Sequence, residues 1–249
     1  LTLLIAGENP VVSYPNQAKV TKALDAVEFL AVTDLFLTET AQMADLVLPV
    51  CSYAEKEGTF TSTDRRVQKV LPAIPAIGQS RTEFKVYGDL INLLDGQAPA
   101  TVADVFGKIA AYSAIKYAEL AEGGVFVAAE LKPVQVVPAA TVPTVEAGKF
   151  ALLTGAALYH CGTLSLYGEG TMSVCGEAYV EISRADAAAK NIADGDQVKV
   201  SSAQGTVTLA ARVSPRMPEG VVFAPYHFAA APTGAICPGS AVTAVTISK

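Results

Sequence analysis

The sequence predicts an α/β segment followed by an all-β domain, and three observations carry that prediction. From Leu1 to Val50, short apolar runs alternate with stretches of helical spacing, the pattern of a parallel α/β sheet. Residues 133–147 are rich in Pro, Val and Thr and poor in charge, which reads as an extended linker. From Phe150 onward the texture changes to short strands separated by Gly and Pro turns, as in a small barrel.

The elements follow in order. Leu1–Ala6 is an apolar run stopped by Gly7-Glu8-Asn9-Pro10 and reads as a buried strand. Asn16–Leu24 has helical spacing, with Val20 and Leu24 four apart. Glu28–Thr33 is a second strand. Thr38 is placed to cap a short helix reaching Ala44, and Asp45–Val50 is the third strand. Residues 55–68 are polar, Gly-punctuated and read as irregular. Thr82–Leu94 carries Phe84, Val86, Tyr87, Leu90, Ile91 and Leu94 on one stripe and predicts an amphipathic helix, with a second helix over Val102–Leu120. In the last domain, strands are predicted at Phe150–Thr154, Tyr179–Ile182, Gln197–Ser201, Gly205–Ala210, Gly220–Pro225 and Ala241–Ile247. One helix, Arg184–Asn191, is capped by Ser183.

Composition bounds the function. The 249 residues are 51% hydrophobic and 17% charged, enough apolar content to bury a sizeable core. The net charge of −6 comes with no Lys/Arg run, which argues against nucleic acid as a partner. No apolar stretch reaches the roughly 18 residues of a membrane span, and no signal peptide is visible. The first residue is Leu1, in a strand-like run, so a fragment of a longer polypeptide is expected. The four cysteines form no C-x-x-C pair and there are two histidines, so no metal site is predicted from this chain alone. The cysteines read as small buried hydrophobes in a reducing compartment.

Several motifs stand in one order: Ala44–Pro49, then Glu55-Lys56-Glu57-Gly58-Thr59-Phe60, then Arg65–Gln68. Later come Tyr159–Thr163, Glu181–Ser183, Ile192–Asp196 and Gly220–Phe228. As an ordered set they resemble the molybdopterin oxidoreductase family, over nearly all of the chain apart from the linker. The resemblance implies a Rossmann-like parallel α/β region over residues 1–132, the C-terminal portion of that family's α/β domain. It implies a dinucleotide-binding-like barrel of double-psi type over residues 148–249, with six or seven strands, packed over the cleft of the first part. Two branches are nearest. One is the G-type large subunit of NADH–quinone oxidoreductase, or complex I, and the other is the large subunit of formate dehydrogenases. Family members that bind the pterin carry an Asn-x-Leu-Thr-like stretch where this chain has Pro232–Cys237, and formate dehydrogenases carry paired arginines where it has Leu166–Glu169. Both departures favour the complex I branch. The implied cofactor is molybdopterin guanine dinucleotide, held in the cleft or lost from it. The family's metal-ligating residue and iron–sulfur clusters belong to an N-terminal region outside this chain. The implied partners are the rest of the parent polypeptide and other respiratory subunits, at the cytoplasmic face of the inner membrane.

The candidate site residues each have two readings. Gly7 and Asn9 follow a strand end, where open α/β sheets bind ligands. Asn9 reads a guanine edge or a ribose, or it is an Asn-Pro turn that stops the strand. Thr38 and Thr40 suit a phosphate at a helix start, or Thr38 is simply an N-cap. Glu57, Gly58 and Thr59 accept from an aminopterin, or Glu57 pairs with Arg65 or Arg66 to fix the loop. His160, Gly162, Thr163 and Ser165 resemble the family's cofactor-facing loop, or the histidine caps a core. His227, between Tyr226 and Phe228, reads as a buried ring with one satisfied nitrogen rather than a base. No nucleophile–base pair is visible. Three roles remain open: an assembly subunit, half of a dinucleotide cleft in a molybdenum or tungsten enzyme, and an accessory subunit that binds the pterin without chemistry.

Overall fold

The computed structural model describes residues 1–94, 96–120, 123–128, 145–239 and 242–249. Most of the expected linker at 133–147 lies outside them.

The first part is a parallel three-stranded sheet. Strand β1 (Thr2–Ala6) pairs with β2 (Phe29–Asp34), and β2 pairs with β3 (Leu46–Pro49), in the order β1-β2-β3. The connections carry α1 (Pro10–Ser13), α2 (Gln17–Asp25) and α3 (Glu39–Gln42). Each helix starts where the sequence supplies a stop or a cap. Pro10 opens α1, the Asn16 side chain accepts from Lys19 N at 3.3 Å, and the Thr38 hydroxyl accepts from Ala41 N at 3.2 Å. Leu30 and Val32 of β2 pack with Val11, Leu24 and Ala41 on one face of the sheet. The other face is largely bare. Strand β1, expected to be buried, is mostly exposed, because the register places Leu4 in a row with Ala31 and Leu46 on that uncovered side.

The polar stretch after β3 is regular, contrary to expectation. Strands β4 (Gly58–Thr61) and β5 (Arg66–Val70) form an antiparallel hairpin whose bend holds Arg65 at φ 68°, and β6 (Val125–Phe126) pairs with β5. Helix α4 (Glu83–Leu93), capped by Thr82, lies where predicted, but none of its residues is buried. The helix expected over Val102–Leu120 is broken. It runs as α5 (Val102–Gly107) and then as two single 3₁₀ turns, Ala110–Tyr112 and Tyr117–Glu119. Gly107 ends α5, and Phe106, Tyr117 and Leu120 then turn inward onto Val67.

The second part is a closed six-stranded barrel, in the order β10-β8-β11-β7-β12-β9. Its strands are β7 (Phe150–Gly155), β8 (Tyr179–Ser183), β9 (Gln197–Ser201), β10 (Thr206–Ser214), β11 (Val221–Pro225) and β12 (Thr243–Ser248). The pairs β10–β8 and β11–β7 are parallel, and the others are antiparallel. Alternate residues point inward, so Leu152, Val180, Ile182, Val198, Val200, Leu209, Val222 and Val245 fill the lumen. Helix α6 (Glu169–Cys175) was not anticipated. Helix α7 (Arg184–Ala189) was, with Ser183 Oγ accepting from Asp186 N at 3.0 Å.

Candidate functional site

The two parts meet at the C-terminal ends of the parallel strands, where an open α/β sheet presents its crevice. The floor of the cleft is made by Gly7 and Asn9 after β1, Asp34–Phe36 and Thr38 after β2, and Val50–Tyr53 after β3. The roof is the barrel loop Thr163, Leu164 and Tyr167. The cleft volume is about 190 Å³, below the roughly 300 Å³ at which drug-sized ligands are usually enclosed. A second chamber of about 320 Å³ shares Leu35, Phe36, Val50 and Ser52 with it.

Three local devices shape the floor. Gly7 adopts φ 61°, a left-handed conformation open to glycine at no steric cost, and its N–H donates to Thr33 O at 2.8 Å. Asn9 is buried and spans from the β1 loop to α3. Its Nδ2 donates to Glu39 Oε2 at 2.8 Å, and its Oδ1 accepts from Thr40 Oγ1 at 2.8 Å and from Thr40 N at 3.2 Å. Thr40 Oγ1 in turn accepts from Val11 N at 3.2 Å. The third device lies after β3. Ser52 N donates to Glu55 Oε2 at 2.7 Å and Ile77 N to Oε1 at 2.6 Å, which pins the wall of the second chamber and holds the Glu55 carboxyl below its usual pKa.

Asn9 therefore neither reads a ligand edge with its oxygen nor merely stops a strand; it ties two strand-end loops together. Thr40 is fully buried and committed to the same network, and Thr38 acts as the N-cap of α3. Glu57, Gly58 and Thr59 belong to the β4 hairpin, away from the cleft. Glu57 is exposed and does not pair with Arg65 or Arg66. It accepts from Tyr117 Oη at 2.7 Å and faces Lys69 Nζ at 3.8 Å. Burial, and next the Glu57 hydrogen bond, push the Tyr117 phenol above its ordinary pKa.

The roof is organised by His160. Its ring is fully buried, 4.1 Å from the Phe228 ring, rather than facing the cleft. Ser165 Oγ donates to Gly162 O at 2.7 Å, so it accepts from His160 Nδ1 at 2.8 Å, which places the imidazole proton on Nδ1. His160 Nε2 and His227 Nδ1 are buried without hydrogen-bond partners. His227 sits at φ 75° with its ring 6.3 Å from that of His160. Burial lowers both pKa values. The main chain of His227 opposes the shift in His160 in part, and the His160 ring adds to the shift in His227.

Sequence reasoning missed two cleft residues. Asp34 ends β2 with its carboxylate accepting from Leu35 N at 2.6 Å, and burial raises its pKa. An acid directly after a buried apolar strand was the available signal. The second is Tyr167, whose ring stacks on Phe36 at 3.8 Å and 3° and closes the barrel loop onto the floor. No sequence pattern pairs residues so far apart.

The lining carries one cation, Lys56, and it is ion-paired with Glu83. With Asp34 beside it, the lining is short of positive charge for a diphosphate. The side chains described do not fit that group on their own. Among the described residues, no set of three or more His, Cys, Asp and Glu side chains is arranged to hold a metal. No helix among them is long and apolar enough to cross a membrane.

Comparison with known proteins identifies the lineage. The model of the Molybdopterin oxidoreductase family matches residues 2–93, and that of the Molydopterin dinucleotide binding domain matches 150–249. The second match supports a molybdopterin cofactor. The chain is 34% identical to the F420-dependent formate dehydrogenase subunit alpha of Methanocaldococcus jannaschii, over 91% of its own length and 38% of that protein. It is 35% identical to the NADPH-Fe(3+) oxidoreductase subunit alpha of Geobacter sulfurreducens, over 91% of the chain and 27% of that protein. It is also 34% identical to a G-type NADH-quinone oxidoreductase subunit of Rhizobium meliloti, over 92% of the chain and 27% of that protein. The chain thus spans well under half the length of these relatives. Among solved structures, acetylene hydratase from Pelobacter acetylenicus has the same fold over 100% of this chain and 44% of its own, with a TM-score of 0.80 at 13% identity. The two family matches, in the order of the two parts of the fold, place this chain in the molybdopterin oxidoreductase family.

Proposed function

We propose that this chain is the C-terminal part of the G-type large subunit of an NADH–quinone oxidoreductase, a scaffold in the peripheral arm of that complex. Electrons pass through iron–sulfur clusters in an N-terminal region of the same polypeptide, at the cytoplasmic face of the membrane. The observation that carries this reading is the Phe36–Tyr167 stack, which joins roof to floor inside the cleft. The internal use of Asn9, Thr38 and Thr40 points the same way, because these polar groups serve the fold and not a ligand. On this reading the dinucleotide has been lost and the cleft is a packing seam.

Asp34 favours a second reading. A half-buried carboxylate with no cationic partner at a strand end is an acceptor suited to the N–H edge of a heterocycle. That fits a formate dehydrogenase-type parent in which another region supplies the cations for the diphosphate and holds the metal. One measurement separates the two. The full-length polypeptide is purified from its own host, oxidised, and assayed for released pterin fluorescence and for molybdenum and tungsten. The scaffold reading expects neither pterin nor metal. Pterin in stoichiometric yield overturns it and selects the second reading.

A further inference from the structure

The parallel sheet has one covered face and one bare face. Leu4, Phe29 and Leu46 are each 41% exposed on the bare side, although Leu4 and Leu46 flank the buried Ala31 in one register row. Only the end of that face is covered, where Tyr87 of α4 meets Thr33 through a 2.7 Å hydroxyl contact. Purely parallel sheets are stable with both faces packed. Strand β1 is also an edge strand of sequence TLLIA, with no charge or proline to blunt it. An unprotected edge beside an uncovered apolar row is the surface of a partner contact, not of a solvent face.

We infer that this face and edge receive a strand–helix segment from the remainder of the longer polypeptide. The strand extends the sheet beyond β1, and the apolar stripe of the helix covers Leu4, Phe29 and Leu46. The relatives are long enough to supply such a segment, since the chain spans 38% and 27% of two of them. The chemistry is that of a doubly wound sheet: backbone hydrogen bonds along β1, and an amphipathic helix seated on apolar side chains. The inference rests on reading this chain as part of a longer polypeptide.

The test uses that full polypeptide carrying Leu46→Cys. Maleimide labelling is followed by peptide-resolved mass spectrometry, with the urea-unfolded protein as the accessible reference. Because the substitution alters the surface in question, amide exchange across Thr2–Ala6 is measured on the unsubstituted protein as well. The expected result is labelling slowed by an order of magnitude and protection along the whole of β1, both unchanged on dilution. Labelling at the unfolded rate with rapid exchange in β1 overturns the inference and leaves the scaffold reading intact. Protection that disappears on dilution assigns the face to a second copy and also overturns it. A cellular protein no longer than this chain overturns the scaffold reading and the inference together.

Discussion

The barrel and the parallel sheet solve the problem of strand edges in opposite ways. The barrel closes on itself, so all six strands are paired on both sides and its core needs no other part of the molecule. The sheet stops at three strands, with β1 and β3 as edges and one face bare. The difference teaches where each part gets its stability. The barrel carries its own, while the sheet takes some of its stability from whatever covers it.

The sharpest break of that comparison is a matched pair of truncations. Leu152 lies at 1% exposure inside the barrel, and Leu4 at 41% on the bare sheet face. Leu152→Ala is expected to cost about 2–5 kcal/mol, the range for emptying a buried leucine site. Leu4→Ala is expected to cost within about 0.5 kcal/mol in this chain, as for an ordinary surface change. Urea denaturation of the two variants checks both values. Equal losses would mean that the sheet is as self-sufficient as the barrel.

The next largest effect lies in the seam joining the two parts. A Cβ built on Gly234 falls 2.6 Å from Tyr14 O, so the 3₁₀ turn at Thr233–Ala235 packs directly on the chain between α1 and α2. Asn16 N also donates to Cys237 O there, at 2.7 Å. Gly234→Ala is expected to cost about 1–3 kcal/mol through this overlap. It should also split a single unfolding transition into two, read by calorimetry. Gly162→Ala is the control, since its Cβ meets nothing within 4 Å and its φ of −171° is ordinary extended backbone. A single sharp transition in Gly234→Ala would show that the seam contributes little.

The same contrast explains what the sequence made legible. The barrel strands were readable because each has one wet and one dry face, so Val198/Val200 and Val207/Leu209 alternate. The sheet strands were readable as strands but not for burial. Leu1–Ala6 has the continuous apolar run of a strand buried on both faces, and the run records the finished assembly rather than this chain alone. The break at Gly107 was hidden because Phe106, Tyr112, Tyr117 and Leu120 keep roughly helical spacing while packing together through 3₁₀ turns. At the site, Gly7, Asn9, Thr38 and Thr163 were found because strand ends and helix starts are local features. The partners of Asn9 and Glu57, and the Phe36–Tyr167 stack, are long-range contacts that no periodicity encodes.

A smaller effect separates the two parts by pH. The chain's two histidines both lie in barrel loops, and burial lowers the pKa of each. The folded state therefore holds them neutral, while the unfolded chain takes up protons below about pH 6.5. Their contribution is complete above that value and is lost as pH falls from it towards the lower folded-state pKa values. A loss on the order of 1 kcal/mol is expected between about pH 7 and pH 5.5. It should appear in the barrel and not in the sheet. His160→Phe, which keeps a ring beside Phe228 while removing one titrating group, is expected to flatten the dependence in thermal melts across that range. An unchanged slope would assign the effect to other groups.

The smallest expected effect belongs to the sheet and concerns Asp34. Burial raises its pKa although the Leu35 and Phe36 amides oppose the shift. A raised folded-state pKa means that the protonated form suits the fold. Its stabilising contribution is present below about pH 3.9, the ordinary value for Asp, and is lost as pH rises through the folded-state value. At neutral pH the carboxylate is a net burden on the strand end. Asparagine keeps an oxygen for Leu35 N without the charge, so Asp34→Asn is expected to raise Tm by about 1–2 °C at pH 7, with no gain near pH 3.5. The gain should vanish in the full polypeptide if another region brings a hydrogen-bond donor to this carboxylate. A fall in Tm there, beside a rise in the isolated chain, would show that Asp34 is held ionised for a partner, which is what the dinucleotide-binding reading of the cleft needs and the scaffold reading does not.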